Sequence, residues 1–358
     1  QKEYRNTLKP FYGVLKTMDG YIKLGFLTGV TKFGKVSVFS DLNNLKDISM
    51  RRDYIDICGI TDKELHRYFD KDLHTLADVQ GLDYETVCLE VQKRYDGYHF
   101  NFNTSGIYNP FSLLNTFDAM AFGSYWFATG TPSYLVYLLK KHHYRLEEIE
   151  KVEVTEDVLD SIDSEGTNPI PVIYQSGYLT IKDYDPEFGL YMLDYPNREV
   201  EEGFVKYLMP FYIDKSEAEA PFEIRRFVGE VRNGNIDGFF HRLQSFFADA
   251  PYEVIVGQDP VRNVELFFQN VLFIVFRLAG FYTQVEYHTS RGRIDLVLKT
   301  DKFIYVMEFK QGATAEEALA QINEKGYADA FASDSRTLYK IGVSFSDEQR
   351  NIERWLVE

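Results

Sequence analysis

Near the C-terminus, two short runs hold the residue types that metal-assisted phosphodiester chemistry needs: Arg293-Ile294-Asp295-Leu296-Val297 and, thirteen residues after its aspartate, Glu308-Phe309-Lys310. Residues two apart in a β-strand point to the same face, so Glu308 and Lys310 are expected to project together while Phe309 turns into the opposite layer. If Asp295 lies across from them on a neighbouring strand, two carboxylates and one ammonium converge. Carboxylate oxygens of Asp295 and Glu308, joined by the backbone carbonyl of Phe309, suit a hard cation such as Mg²⁺ or Mn²⁺. Such an ion acidifies a water and offsets charge developing at phosphorus, which leaves Lys310 to orient or deprotonate that water.

The elements needed to hold these groups are legible around them. Apolar positions Val264, Phe267, Phe268, Val271, Leu272, Val275 and Leu278 recur at three and four, which predicts a helix with Glu265 at its start. A strand over Tyr282–His288 follows, then a β-hairpin of Gly292–Lys299 and Phe303–Lys310 joined by the tight connection Thr300-Asp301-Lys302. A helix from Ala315 to about Tyr327 and a strand over Tyr339–Phe345 complete the order α-β-β-β-α-β, an α/β domain with a mixed sheet. Gln321 and Tyr327 are expected on the last part of that helix, supporting the metal site or touching a nucleic-acid backbone. Arg291, Arg293 and Lys299 bracket Asp295 as a phosphate-contacting patch. The competing reading of Asp295, Glu308 and Lys310 is a solvated face with a cross-strand ion pair.

Residues from about 254 to 358 resemble the PD-(D/E)XK nuclease superfamily, in the version that closes a group of bacterial AAA-ATPase-like proteins. On that resemblance Asp295, Glu308 and Lys310 match the signature, Glu265 matches a helix glutamate often present in it, and Gln321 resembles an accessory glutamine of RecB-like members. Ile294 stands where the signature has proline, which is not a ligand. LTGVTKFGKVSVFSDLNNLKDIS at 27–49, YDGYHF at 95–100, YNPFSLLN at 108–115, YWFATGTPSYLV at 125–136 and YQSGYLTIKDYD at 174–185 resemble the AAA-ATPase-like domain of the same proteins. The resemblance implies Walker A and B segments upstream of a buried strand at Tyr21–Val30, with Thr28 or Thr31 as a sensor residue. It implies ATP as a ligand only where that upstream segment is present, so ATP hydrolysis is not expected of this chain. The octet Gly29–Val36 nearly fits a P-loop, but Val36 has no hydroxyl for Mg²⁺ and a strand pattern follows where a helix should begin.

Three regions are expected: 1–50 as the remnant of the ATPase-like core, 51–250 as a mostly helical associated region with a β-hairpin near 173–193, and 254–358 as the nuclease-like domain. Helical stripes occupy Leu113–Phe122 and Tyr134–Leu139, the run 214–221 is linker-like, and Phe222–Ala248 reads as a short helical unit. Aromatics at helical spacing are read as core in preference to a base-stacking surface. His99, His142 and His143 lack partners at metal spacing.

With 45% hydrophobic and 16% aromatic residues over 358 positions, disorder is excluded. The net charge of −16 argues against broad attraction to polyanions, and residues 251–358 carry 12 basic against 16 acidic groups, a balance of −4. Cys58 and Cys88, without close spacing, suit a reduced cytoplasm. No run suggests a membrane span or signal peptide, and opening on Gln1 the sequence reads as a fragment or a processed product. The functional expectation is therefore a Mg²⁺-dependent nuclease acting on nucleic acid, DNA ahead of RNA, with a homo-oligomer or protein partner left open. The alternative is a nucleotide-regulated signalling or scaffold protein whose nuclease-like domain binds without cutting.

Overall fold

The computed structural model describes residues 2–29, 46–126, 133–160, 168–212, 218–248, 260–280, 282, 284–290 and 293–358; the side chains at 2–9, 160, 220, 260–265, 286–290 and 293–295 lie outside the description. The chain divides into two units, 1–142 with 148–203 and 143–147 with 204–358.

The first unit contains helices α1 (Lys2–Thr17), α2 (Asp62–Tyr68), α3 (Asp70–Gln80), α4 (Tyr84–Tyr95), α5 (Pro110–Ala119) and α6 (Ser133–Lys141), strand β1 (Val152–Thr155), helices α7 (Glu156–Asp160) and α8 (Ile170–Gln175), and strands β2 (Thr180–Asp185) and β3 (Leu190–Asp194). Local chemistry sets the helix starts. Thr61 and Glu64 form a reciprocal capping box at α2, and the Asn109 side chain accepts from the amides of Phe111 and Ser112 with Pro110 in the first turn of α5. Apolar stripes then meet in a core of Leu65, Leu73, Leu76, Val87, Val91, Tyr95, Leu113 and Phe117. The tyrosine-rich strings contribute to this interior in part: Tyr95 and Tyr108 are buried, and Tyr98 donates to the Gly177 carbonyl at 3.3 Å, whereas Phe111 and Tyr134 are 45% and 54% exposed.

The sheet has the order β1-β3-β2 and is antiparallel throughout. Its hairpin starts later than the sequence pattern suggests, because Ile173 belongs to α8. Residues 22–29, expected as a buried strand, form none, and Tyr21 and Leu24 are each 84% exposed. A strand needs a neighbour for its backbone groups, and among the described residues this segment pairs with none. Most of the octet Gly29–Val36, with Thr31, lies outside the described residues.

Helix α9 (Arg198–Tyr212) is divided between the units at Gly203. The second unit continues with α10 (Ala220–Asn233), α11 (Ile236–Ala248), α12 (Pro260–Gly280), strands β4 (Gln284–Ser290), β5 (Arg293–Lys299) and β6 (Phe303–Gln311), helix α13 (Ala315–Lys325), and strands β7 (Thr337–Ser346) and β8 (Asn351–Val357). The five strands form one mixed sheet, β4-β5-β6-β7-β8, with β6 and β7 parallel and every other pair antiparallel. A parallel pair needs a crossover, and α13 supplies it. The α-β-β-β-α-β order is thus present, extended by β8.

Both faces of this sheet are covered. On one, Phe309 and Phe345 meet Phe240, Phe247, Phe268 and Phe276 of α11 and α12, and the Tyr305 hydroxyl donates to the Val231 carbonyl at 2.6 Å. On the other, Ile304 and Val306 pack with Ile322 of α13 and with Ala328. Burial on both sides explains why β6 reads as an apolar run without alternation. Helix α13 comes close to β7 at Gly342, where a side chain would collide with the Ala315 carbonyl and the Leu319 amide and sit 2.8 Å from Leu319 Cβ. Among the described residues no helix is long and apolar enough to cross a membrane.

Gly342→Ala must push α13 off the sheet. Overpacking of this kind costs about 1–3 kcal/mol, so the urea midpoint followed by Trp355 fluorescence is expected to fall; an unchanged midpoint would mean that the helix tolerates the added methyl.

Candidate active site

The three-residue turn Thr300–Lys302 sets the ladder between β5 and β6. The Thr300 amide donates to the Phe303 carbonyl at 2.8 Å, and the Phe303 amide donates to Thr300 Oγ1 at 2.9 Å. Arg336 ties the same turn to the α13–β7 connection by donating to the Thr300 carbonyl at 3.0 Å while its guanidinium holds Asp334, whose carboxyl drops to about 2 through that hydrogen bonding. Counting from this turn, Asp295 pairs with Glu308, Ile294 with Phe309 and Arg293 with Lys310. Directly opposed positions on an antiparallel ladder share a face. The two acid positions thus form one row and the two basic positions the next.

Glu308 has 0% of its surface exposed, which removes the solvated-face reading for this residue. Gln321 Nε2 donates to Glu308 Oε1 at 2.6 Å. That amide is placed by the ends of α13. At the N-terminus the Thr314 hydroxyl accepts from the Glu317 amide and the Glu317 carboxylate accepts from the Thr314 amide, while Gly326, at φ 64°, stops the helix in the left-handed region. Between them Ala315, Ala318 and Ile322 form the stripe that faces the sheet.

Lys310 is half-buried on the Glu308 side, and Phe309 between them is fully buried, with ring centroids 6.4 Å from Phe240, 6.2 Å from Phe276 and 5.9 Å from Phe345. Its backbone lies mid-ladder between Ile294 and Val343. Glu265 falls in the second turn of α12; its side chain and those of Arg293 and Asp295 lie outside the described residues, as does Arg291 entirely. Among the described residues no three His, Cys, Asp or Glu side chains converge, and two of the three acids expected here, Glu265 and Asp295, are not in that set.

Lys299 and Tyr327 are elsewhere on this face. Lys299 pairs with Ile304, four residues from Asp295 and so roughly 13 Å along the strand, and its ammonium lies 5.0 Å from the centre of the Phe331 ring. Tyr327 follows the Gly326 stop, so it is outside the helix expected to carry it, and it packs against the Ile304, Val306 and Ile322 cluster. Sequence reading missed Gly342, the partner of Glu308 on β7. Its need for a missing side chain comes from helix approach, and only its place inside a strand run signals it.

A family model described as PD-(D/E)XK nuclease superfamily matches residues 263–355, and one described as predicted AAA-ATPase matches residues 1–39. A protein of Azotobacter chroococcum mcd 1, described as an uncharacterized protein in the vnfD 5'region, is 32% identical over 366 residues that span 100% of this chain and 67% of that protein. No solved structure matches the chain.

Removing the Gln321 amide leaves a fully buried carboxylate with one donor fewer. A hydrogen bond to a charged group contributes about 1.5–3 kcal/mol, so Gln321→Ala is expected to lower the unfolding free energy by that order. Gln321→Glu, which sets two carboxylates together, is expected to lower it further. Urea titration of both variants checks the order, and a Glu variant as stable as wild type would contradict it.

Proposed function

Because the chain belongs to the bacterial AAA-ATPase-like proteins that end in a PD-(D/E)XK nuclease superfamily domain, we propose that its second unit hydrolyses phosphodiester bonds of DNA with the help of Mg²⁺ or Mn²⁺. The observation that carries this reading is the register of Asp295 against Glu308, with Glu308 sealed from solvent and Lys310 two residues on. Opposed carboxylates on adjacent strands destabilise a sheet unless a cation sits between them. Oxygen donors of this type fit a hard divalent ion.

Asp295 and Glu308 would hold the ion, with the Phe309 carbonyl as a third donor and Glu265 supporting the ion or its water. Once bound, the ion supplies Lewis-acid polarisation and a water of lowered pKa. Gln321 orients the Glu308 carboxylate. Lys310 follows buried Phe309 near the end of β6 and shares a face with Glu308 by strand alternation; from there its ammonium would orient the attacking water and offset charge on the phosphate. Arg291 and Arg293 contact the flanking phosphates. Lys299 and Tyr327 extend that contact surface toward the Thr300 turn.

The purified chain, given Mg²⁺ or Mn²⁺ with plasmid, single-stranded DNA or RNA, is expected to cleave DNA and to stop in EDTA. Lys310→Ala and Asp295→Asn are each expected to slow cleavage by about 10²-fold or more, with circular-dichroism melts that match wild type. Equal rates for wild type and Lys310→Ala overturn the assignment of Lys310. Absence of cleavage on every substrate leaves the domain a binding module, and cleavage of RNA alone moves the substrate class.

A further inference from the structure

The acid face of the sheet is ordered in rows that run across the strands. One row is Asp295, Glu308, Gly342 and Leu356; the next is Arg293, Lys310, Ser344 and Arg354. The second row therefore sets three cationic residues along one line of the ladder, beside the line that holds both acids. Successive strands stand about 4.8 Å apart, which separates the backbones of Lys310 and Arg354 by roughly 10 Å.

We infer that Arg354, on the fifth strand, is a contact for a DNA backbone phosphate, extending the Arg293–Lys310 row away from the scissile bond. The inference rests on the nuclease reading of the same face and adds a residue to it. Three observations support it. First, Arg354 is on the acid face: its Nη1 lies 2.8 Å from Glu316 Oε1 in the first turn of α13. Second, its backbone is anchored from behind. Neighbouring Trp355 goes to the other face, stacks on Phe240 at 5.0 Å and donates Nε1 to Asp237 at 3.0 Å, while Gln244 donates to the Ile352 carbonyl and accepts from Asn351. Third, its head group is accessible, since the Arg354 and Glu316 side chains are 59% and 54% exposed.

An exposed pair of this kind is weak, so a phosphate, which accepts the planar guanidinium fork in two hydrogen bonds, can replace the Glu316 carboxylate. The adjacent Glu317 does not compete, because its carboxylate is turned back to the Thr314 amide at 2.9 Å. Glu316 on this account is a competitor for Arg354, not a structural partner. That gives the two substitutions opposite signs.

The test measures binding of fluorescein-labelled duplex DNA and of the matching single strand by anisotropy, across a salt series, with Ca²⁺ as the divalent ion. Loss of one phosphate contact lowers the slope of log affinity against log salt by about 0.9 on duplex or about 0.7 on single strand. Arg354→Ala is expected to show that loss, Arg354→Lys to keep most of the slope, and Glu316→Gln to bind more tightly than wild type. Binding weakened alike by Arg354→Ala and Glu316→Gln would mark the pair as a tether of α13 to β8 and overturn the inference, as would a slope unchanged in Arg354→Ala. A wild-type chain that binds neither DNA form and cleaves nothing overturns the nuclease reading and this one together; wild type that binds and cleaves with an Arg354-independent slope overturns this one alone.

Discussion

A carboxylate with no exposed surface, Glu308, is the constraint around which the second unit is built. Burying a charged group is costly unless its oxygens find donors or cations, and each nearby feature bears on that requirement. Gly342, its partner on β7, has no side chain, so α13 descends far enough for the Gln321 amide to reach Glu308 Oε1. The capping box at Thr314 and the left-handed Gly326 fix where that helix begins and ends. A one-residue slip in either would rotate Gln321 by about 100° and take the amide away from the sheet.

The opposite face explains why so demanding a group can be held still. Between Glu308 and Lys310, Phe309 points into a cluster of Phe240, Phe276 and Phe345, and two residues earlier in alternation Met307 and Tyr305 are buried on the same side. Aromatic pairs contribute beyond their buried area through preferred ring geometry. Fixing Phe309 fixes the pleat, and the pleat aims its two neighbours. Positioning at the acid face is thus a consequence of packing at the apolar one.

That logic also accounts for what was legible in the sequence. Strand alternation around Glu308, Phe309 and Lys310, and the short turn Thr300–Lys302, are local properties, so the face of each side chain and the opposition of Asp295 to Glu308 follow from them. The fifth strand was not legible. A bulge shifts its register between Ser344 and Phe345, Glu353 is the extra residue, and the run Ile352-Glu353-Arg354-Trp355 loses its alternation. Tyr327 misled for a related reason: helical spacing continues through it, but Gly326 ends the helix one residue earlier. Residues 22–29 have the composition of a buried strand, and among the described residues no strand lies beside them; a strand is completed by a partner that its own sequence does not encode.

Net charge is a weaker guide to polyanion binding here than the rows of the sheet. At −16 the whole chain should repel DNA, yet at physiological ionic strength a charge is screened over about 8 Å. Lys310 and the Arg293 position are ladder partners at strand spacing, well inside that distance, and Arg354 is two strands from Lys310. A phosphate on this row therefore feels its neighbours more than the sum of the chain. Glu316 opposes a phosphate at the Arg354 end of the row and the acid row opposes one at the Lys310 end; a divalent ion between Asp295 and Glu308 would remove the second of these repulsions. Metal and polynucleotide would then bind with positive coupling, each lowering the electrostatic cost of the other.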